Sequence, residues 1–250
     1  MKNVRYKLIV LLFIALSFPH LLFSQDDSSF DLAYEVNRTY PSLSITKEQL
    51  NEASTLIDIN KYYKPSWIKE YISVETLASY QGKTKKVMSK NDSLNQAQKD
   101  MMNTVDVGTD ITVKIHYIPS NQLKHNDAKE TSFTFTIEPE SEATYFGGIQ
   151  QLQQYLKENV GDKISDDVFN IYHLTAVKFT IDKQGQIIDA HVFESSKDEK
   201  TDDLLLETIC NMPNWKPAQY ANGTKVKQEF VLTIGDHRSC VINLLNIRRS

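Results

Sequence analysis

The sequence is poor in groups that could perform covalent or metal chemistry. It has two cysteines and six histidines. His20, His116, His125, His173, His191 and His237 share no ligand spacing, and neither an HExxH pair nor a Cys/His cluster occurs, so no zinc site is expected. A GxSxG turn and a Cys–His couple are absent. Gly147-Gly148 lacks both the preceding strand and the following Lys-Ser/Thr of a phosphate-cradling loop. The acid pairs Asp166-Asp167 and Asp202-Asp203 fall in a loop and at a helix start, where solvation and the helix dipole account for them. The chain therefore reads as non-enzymatic and without a cofactor. Positive charge is also scarce: 28 Lys and Arg against 32 Asp and Glu leave a net charge of −4. With no basic run interleaved with aromatics, a nucleic-acid partner is not expected. No apolar run reaches the roughly 20 residues that span a bilayer.

The nearest approach to such a run is at the N-terminus. Lys2, Arg5 and Lys7 precede an apolar stretch from Leu8 to Phe23, which ends in the small and polar Ser24-Gln25-Asp26-Asp27. This is the pattern of a secretory signal peptide over residues 1–24, with an uncleaved membrane anchor as the alternative. No cysteine near Ser24 would carry a lipid. The expected location is thus the periplasm or cell envelope. Residues 25–43 are polar, with Phe30, Tyr34, Tyr40 and Pro41 scattered among them, and read as a linker or loosely docked arm.

From residue 44 to 138 the texture is β-rich. Thr46 and Gln49 form a capping box for a short amphipathic helix presenting Leu50, Ala53 and Ile57. A strand follows over 68–80, with Ile72, Val74, Thr76 and Ala78 on one side and Tyr71, Ser73, Glu75 and Leu77 on the other. Gly82 turns it into a partner strand at 85–89. Ser93 and Gln96 suggest a second capping box, with Ala97, Met101 and Val105 on one helical face until Gly108. Two alternating strands, 111–118 and 132–137, run up to Pro119 and Pro139. A short acidic stretch around Pro139, residues 138–143, reads as the boundary to the next domain.

The rest of the chain is organised around residues 174–234. Val177, Phe179 and Ile181 alternate with Lys178 and Thr180, Asp182 to Gly185 supplies a turn, and Ile187 to Phe193 completes a hairpin. Thr201-Asp202-Asp203 offers capping oxygens to a helix carrying Leu205, Ile209 and Met212, stopped by Pro213. A corner on Trp215, expected in the core, and a turn at Ala221 to Thr224 lead to a last strand ending at Ile234.

Three of these features, Tyr145-Phe146-Gly147-Gly148 before a helix, the hairpin with Asp182 and Gly185, and Met212-Pro213-x-Trp215-Lys216-Pro217 before a closing strand, resemble the C-terminal domain of the TonB energy-transducer family in its Bacteroidetes-type form. The resemblance covers residues 143–235. It implies an α+β fold, helices on one face of a three-stranded antiparallel sheet, with Gly147, Gly148, Gly185, Pro213, Trp215 and Pro217 as structural positions. It also implies capture of an extended segment of an outer-membrane receptor or envelope complex, in TonB-dependent transport, by strand addition. On this chain the binding edge would be Lys225, Val226, Lys227, Gln228, Phe230 and Leu232. Alternatively, the apolar Val241 to Ile247 covers that edge.

Residues 44–119 are similar to a periplasmic domain of GldM, through Ile45-Thr46-Lys47-x-Gln49-Leu50, the Gly82 hairpin, Leu94-x-x-x-Gln98-Lys99 and Gly108-Thr109-Asp110-Ile111. That likeness implies a second reading, a structural part of a gliding-motility or type IX secretion assembly, with homo-oligomer contacts. Residues 236–250 form a tail. In an oxidising compartment Cys210 and Cys240 would close a loop of about 30 residues, contributing roughly 3–4 kcal/mol by chain entropy; two buried free thiols are the alternative.

Overall fold

A computed structural model describes residues 32–39, 43–80, 82–123, 125–164, 174–213 and 215–236. The expected signal peptide, Asn214, Cys240 and the tail segment Val241 to Ile247 lie outside them. The chain is mixed α and β. Its described residues fall within a single compact unit, Asp31–Ser250.

Residues 44–138 build a five-stranded sheet in the order β2 (Ser44–Thr46), β6 (Lys129–Glu138), β5 (Asp110–Pro119), β3 (Ile68–Tyr80), β4 (Lys83–Ser89). All pairings are antiparallel except β2 with β6. One face is solvated and carries cross-strand pairs such as Lys86–Glu75 at 2.7 Å and His116–Glu130 at 3.2 Å. The other buries Val74, Ala78, Ile111, Val113, Ile115, Phe135 and Ile137 beneath short helices. These are α1 (Lys47–Glu52), α2 (Leu56–Ile59) and α3 (Gln96–Asn103).

The expected capping box at Thr46 and Gln49 is present on α1. The second box is shifted by two residues: Asn95 accepts from the Gln98 amide at 2.9 Å, and the Gln98 side chain accepts from the Asn95 amide at 3.0 Å. Asparagine outcompetes the upstream serine because Ser93 is held in a bridge with Thr55. The buried face is consequently Gln98, Met101, Met102 and Val105, while Ala97 is exposed. Similarly, the first helix ends at Glu52, and Ile57 points outward from α2 rather than continuing the Leu50 face. In β3, register shifts at Ile68/Glu70 and Tyr71/Ser73 break the strict alternation. Ile72 is left exposed, and Tyr71 turns inward to meet the Tyr63 hydroxyl.

The C-terminal half forms a four-stranded antiparallel sheet in the order β1 (Leu32–Arg38), β13 (Gln228–Asp236), β8 (Leu174–Ile181), β9 (Ile187–Glu194). Helix α4 (Gly148–Leu156) runs on into one π turn at Lys157–Gly161, and α5 (Glu199–Cys210) connects the hairpin to the closing segments. The α5 cap is Asp198, whose carboxylate accepts from the Thr201 amide at 3.0 Å. Thr201 and Asp202 therefore sit in the first turn, not ahead of it. Asp202 instead reaches back to Ser195 and Ser196.

Residues 25–43, expected as a linker or loosely docked arm, supply at 32–38 a strand of the C-terminal sheet. The stretch 138–143, expected as a domain boundary, is held on both sides. Ser141 exchanges backbone hydrogen bonds with Gln219 at 3.0 and 2.8 Å, the Ala143 amide donates to buried Gln228 Oε1 at 2.7 Å, and Arg38 pairs with Glu138 and Glu142 at 2.8 and 2.6 Å.

Candidate functional site

The three motifs separated in sequence converge on one corner. β7 (Thr144–Tyr145) pairs with β10 (Trp215–Lys216), setting Tyr145 opposite Trp215. The Trp215 amide donates to the Gly185 carbonyl at 2.8 Å, which ties the corner to the hairpin turn. Gly185 is at φ +84°, and a methyl group there would overlap the Trp215 carbonyl oxygen, so the residue meets both a conformational and a steric demand for glycine. Around this contact stand Tyr145, Tyr155, Phe179, Trp215 and Phe230. Their ring centroids are 5.2 to 6.1 Å apart, with edge-on contacts at Tyr145–Trp215 and Phe179–Trp215. Trp215 is buried, as expected, and among the described residues its Nε1 has no acceptor. Burial pushes the Tyr145 and Tyr155 hydroxyls up, and Tyr155 donates to the Thr208 carbonyl at 2.9 Å. Gly147 and Gly148 lie at positive φ where the chain enters α4; Pro213 follows the end of α5, and Pro217 is buried between β10 and β11 (Ala218–Gln219).

The expected binding edge is divided and differently placed. Lys225 and Val226 form β12 (Lys225–Val226), paired with β11. Lys227 is exposed between strands. Gln228, Phe230 and Leu232 belong to β13, and all three side chains are buried. Phe230 stacks on Phe179 at 5.9 Å and Gln228 holds the Ala143 amide, so neither presents a side chain to a partner.

More decisively, β13 is not an edge. Its backbone pairs with β8 from Gln228 to Gly235 on one side and with β1 from Phe230 to Asp236 on the other. Residues 32–38 cover this side of β13; Val241 to Ile247, the alternative cover, lie outside the described residues. A signal for the strand at 32–38 was present: Tyr34 and Val36 alternate with Glu35 and Asn37, but over a span too short to stand out from the polar stretch around it. The outer edges of this sheet are β1 and β9.

Along the central strands β8 and β13 both faces of the sheet are buried. Opposite the aromatic box, Leu174, Ala176 and Val231 cluster with Ala33 and Phe193. Lys178, expected on a solvated side, is buried, with its Nζ 3.8 Å from the centre of the Phe193 ring. A second polar cluster joins the two halves. Lys47 donates to the Asn103 carbonyl at 2.8 Å and lies 4.4 Å from the centre of the Tyr220 ring. Burial lowers the Lys47 pKa against the pull of Asp106 and Glu140; burial, aided by those carboxylates, raises Tyr220 to about 12.

Cys210 is a free, exposed thiol on α5; Cys240, its expected bridge partner, lies outside the described residues. The exposed position of Cys210 on the helix, away from the buried Leu205 and Ile209, explains why the helical pattern did not place it in the core. Among the described residues no group of three or more His, Cys, Asp or Glu could hold a metal ion, and no helix is long and apolar enough to cross a membrane. Comparison with protein-family models, curated proteins and solved structures gave no match.

Proposed function

We propose that the chain is a protein-binding module of the cell envelope, built like a TonB C-terminal domain, which offers β13 to an extended segment of an outer-membrane receptor or envelope complex. The reading rests on one observation: β13 carries, on the side away from β8, a seven-residue antiparallel strand delivered from the far end of the sequence. A strand position that accepts residues 32–38 has, once they leave it, the backbone groups and the flanking space to accept another extended chain of that length. The order β13-β8-β9, with a helix before the hairpin and another after it, supports the TonB-like reading. On this view β1 is the resident occupant, and partner binding is an exchange of one strand for another.

The test is a full-length Glu35→Pro/Val36→Pro variant. Consecutive residues of a strand point their amides to opposite sides, so one of the two prolines removes a donor to β13. The variant should bind a synthetic Leu-Ala-Tyr-Glu-Val-Asn-Arg peptide, with slowed amide exchange over 230–234. Periplasmic segments of outer-membrane receptors should compete with that peptide, and the unaltered chain should bind it far more weakly. A variant that keeps its circular dichroism spectrum but takes up neither peptide overturns the reading.

A further inference from the structure

Among the described residues a different sheet edge is open. β2 pairs with β6 only from Thr136 to Glu138, and among the described residues no strand lies beside the upstream part of β6. The Thr136 amide points outward to the Leu43 carbonyl at 3.1 Å. By the two-residue period of a strand, the backbone groups of Thr134, Ser132 and Glu130 face the same side. All three residues are exposed.

The other sheet edges carry the usual protections against strand pairing. Lysines 83, 85 and 86 lie along β4. β9 is interrupted by two register shifts in its pairing and by Asp189 at φ +55°. β1 bears Glu35 and Arg38. From Thr131 to Thr134, β6 has no charge, no proline and no bulge against β5.

A groove opens beside this stretch. A cavity of about 190 Å³ is lined by Tyr62, Lys64, Trp67, Tyr117, Ser132 and Phe133, among others. Its inner wall is fixed, because Tyr63 packs on Phe133 at 6.3 Å between ring centroids and its hydroxyl meets that of Tyr71. The outer aromatics are wet: Tyr62 is 73% and Trp67 is 67% exposed. Neither is loosely hung. The Tyr62 amide donates to Asn60 Oδ1 at 3.0 Å, Pro65 starts the 3-10 turn that carries Trp67, and the Trp67 carbonyl accepts from Ser120 at 2.7 Å. Large exposed aromatics on an anchored backbone, around a space the size of one bulky side chain, have the composition of a binding hot spot. Lysines predominate at the site: Lys61 lies against the Tyr62 ring, Lys64 lines the groove and Lys129 heads β6, with Glu130, 3.2 Å from His116, as the carboxylate of this stretch.

We propose that this edge and groove bind an extended peptide of a partner protein, running along Glu130 to Thr134 and placing one bulky apolar side chain between Tyr62 and Trp67. Carboxylates flanking that side chain meet Lys61, Lys64 and Lys129. The backbone of β6 supplies the pairing, and the aromatic groove supplies the selection. The site uses no residue of the β1–β13 pairing and stands whether or not strand exchange occurs there.

The experiment uses the full chain and the acetylated, amidated peptide Asp-Val-Thr-Phe-Thr-Val-Glu, which has alternating β-branched residues, one central ring and acidic ends. Binding should shift Trp67 emission to the blue and slow amide exchange over 129–135, with saturation of both signals. Ser132→Pro removes one outward donor without touching the ladder to β5 and should weaken binding by about tenfold or more. Trp67→Ala, at an exposed position outside any strand, should do the same. If Ser132→Pro fails to fold, Trp67→Ala and the exchange map still decide. Peptide protection elsewhere, or binding indifferent to both substitutions, overturns the proposal. So does slowed exchange over 129–135 that grows with protein concentration in the absence of peptide, which would make the edge a contact between copies. A chito-oligosaccharide that shifts Trp67 where the peptide does not would make the groove a sugar platform, and overturns it equally.

Discussion

Replacing Gly185 by alanine tests the corner on which the C-terminal sheet turns. The residue sits at φ +84°, where a side chain costs about 1–2 kcal/mol. Alanine recovers about 0.4–1 kcal/mol of this by restricting the unfolded chain. The new methyl would overlap the Trp215 carbonyl oxygen and approach its carbon to 3.0 Å, so the β10 backbone must retreat. Retreat breaks the 2.8 Å bond from the Trp215 amide to the Gly185 carbonyl, worth about 1 kcal/mol net. It also loosens the Trp215 contacts with Tyr145 and Phe179, worth roughly 0.5–1.5 kcal/mol each. The sum is a destabilisation of about 2–6 kcal/mol. Gly82 is the internal control: it has φ +70° but open space around its Cα, so Gly82→Ala should cost no more than about 1.6 kcal/mol. Urea titration followed by tryptophan fluorescence in a Trp67→Phe background reads Trp215 alone. Equal costs for the two alanines would refute the argument, because the whole difference between them is assigned to the Trp215 carbonyl.

Further outcomes follow from the polar contacts. Asp202 is opposed by burial, yet hydrogen bonds from Ser195 and Ser196 at 2.6 to 2.8 Å outweigh it and hold its carboxyl below the usual 3.8. A depressed carboxylate stabilises above its unfolded pKa, and that contribution disappears as pH falls through the folded pKa. Asp202→Asn should therefore cost about 1–3 kcal/mol at neutral pH and flatten the decline in stability below pH 4, as seen in denaturant titrations across pH. Gln98 is fully buried, capping its own helix and donating to Thr76 Oγ1 at 2.9 Å. Gln98→Ala leaves Thr76 and the Asn95 amide without that partner and should cost about 2–3 kcal/mol by thermal or urea unfolding.

Much of the architecture was legible because it rests on local chemistry. The period of two in Val177, Phe179 and Ile181, the Thr46–Gln49 box and the glycine turn at 185 act over a few residues, and each recurs in the structure. What escaped was decided by distant partners. Ile72 is exposed because a register shift two strands into the sheet reverses its side. Lys178 is buried by a Phe193 ring whose position depends on the hairpin's irregular pairing. The binding edge was misplaced for the same reason: nothing near Phe230 or Leu232 announces that residues 32–38 return to pair with them. Cys210 shows the same limit: nothing in its neighbours in sequence announces that its side chain lies on the exposed side of its helix.

The pairing of Arg38 with Phe230 also sets a clock. A ribosome adding 5–20 residues per second takes roughly 10–40 s to proceed from one to the other. Throughout that interval the leading strand lacks the strand it pairs with, while the five-stranded sheet, complete by Glu138, is free to form. Assembly of the second sheet is thus a late and concerted step. A chaperone that shields Leu32–Arg38 during synthesis would protect this protein more than one that shields any segment of the first sheet.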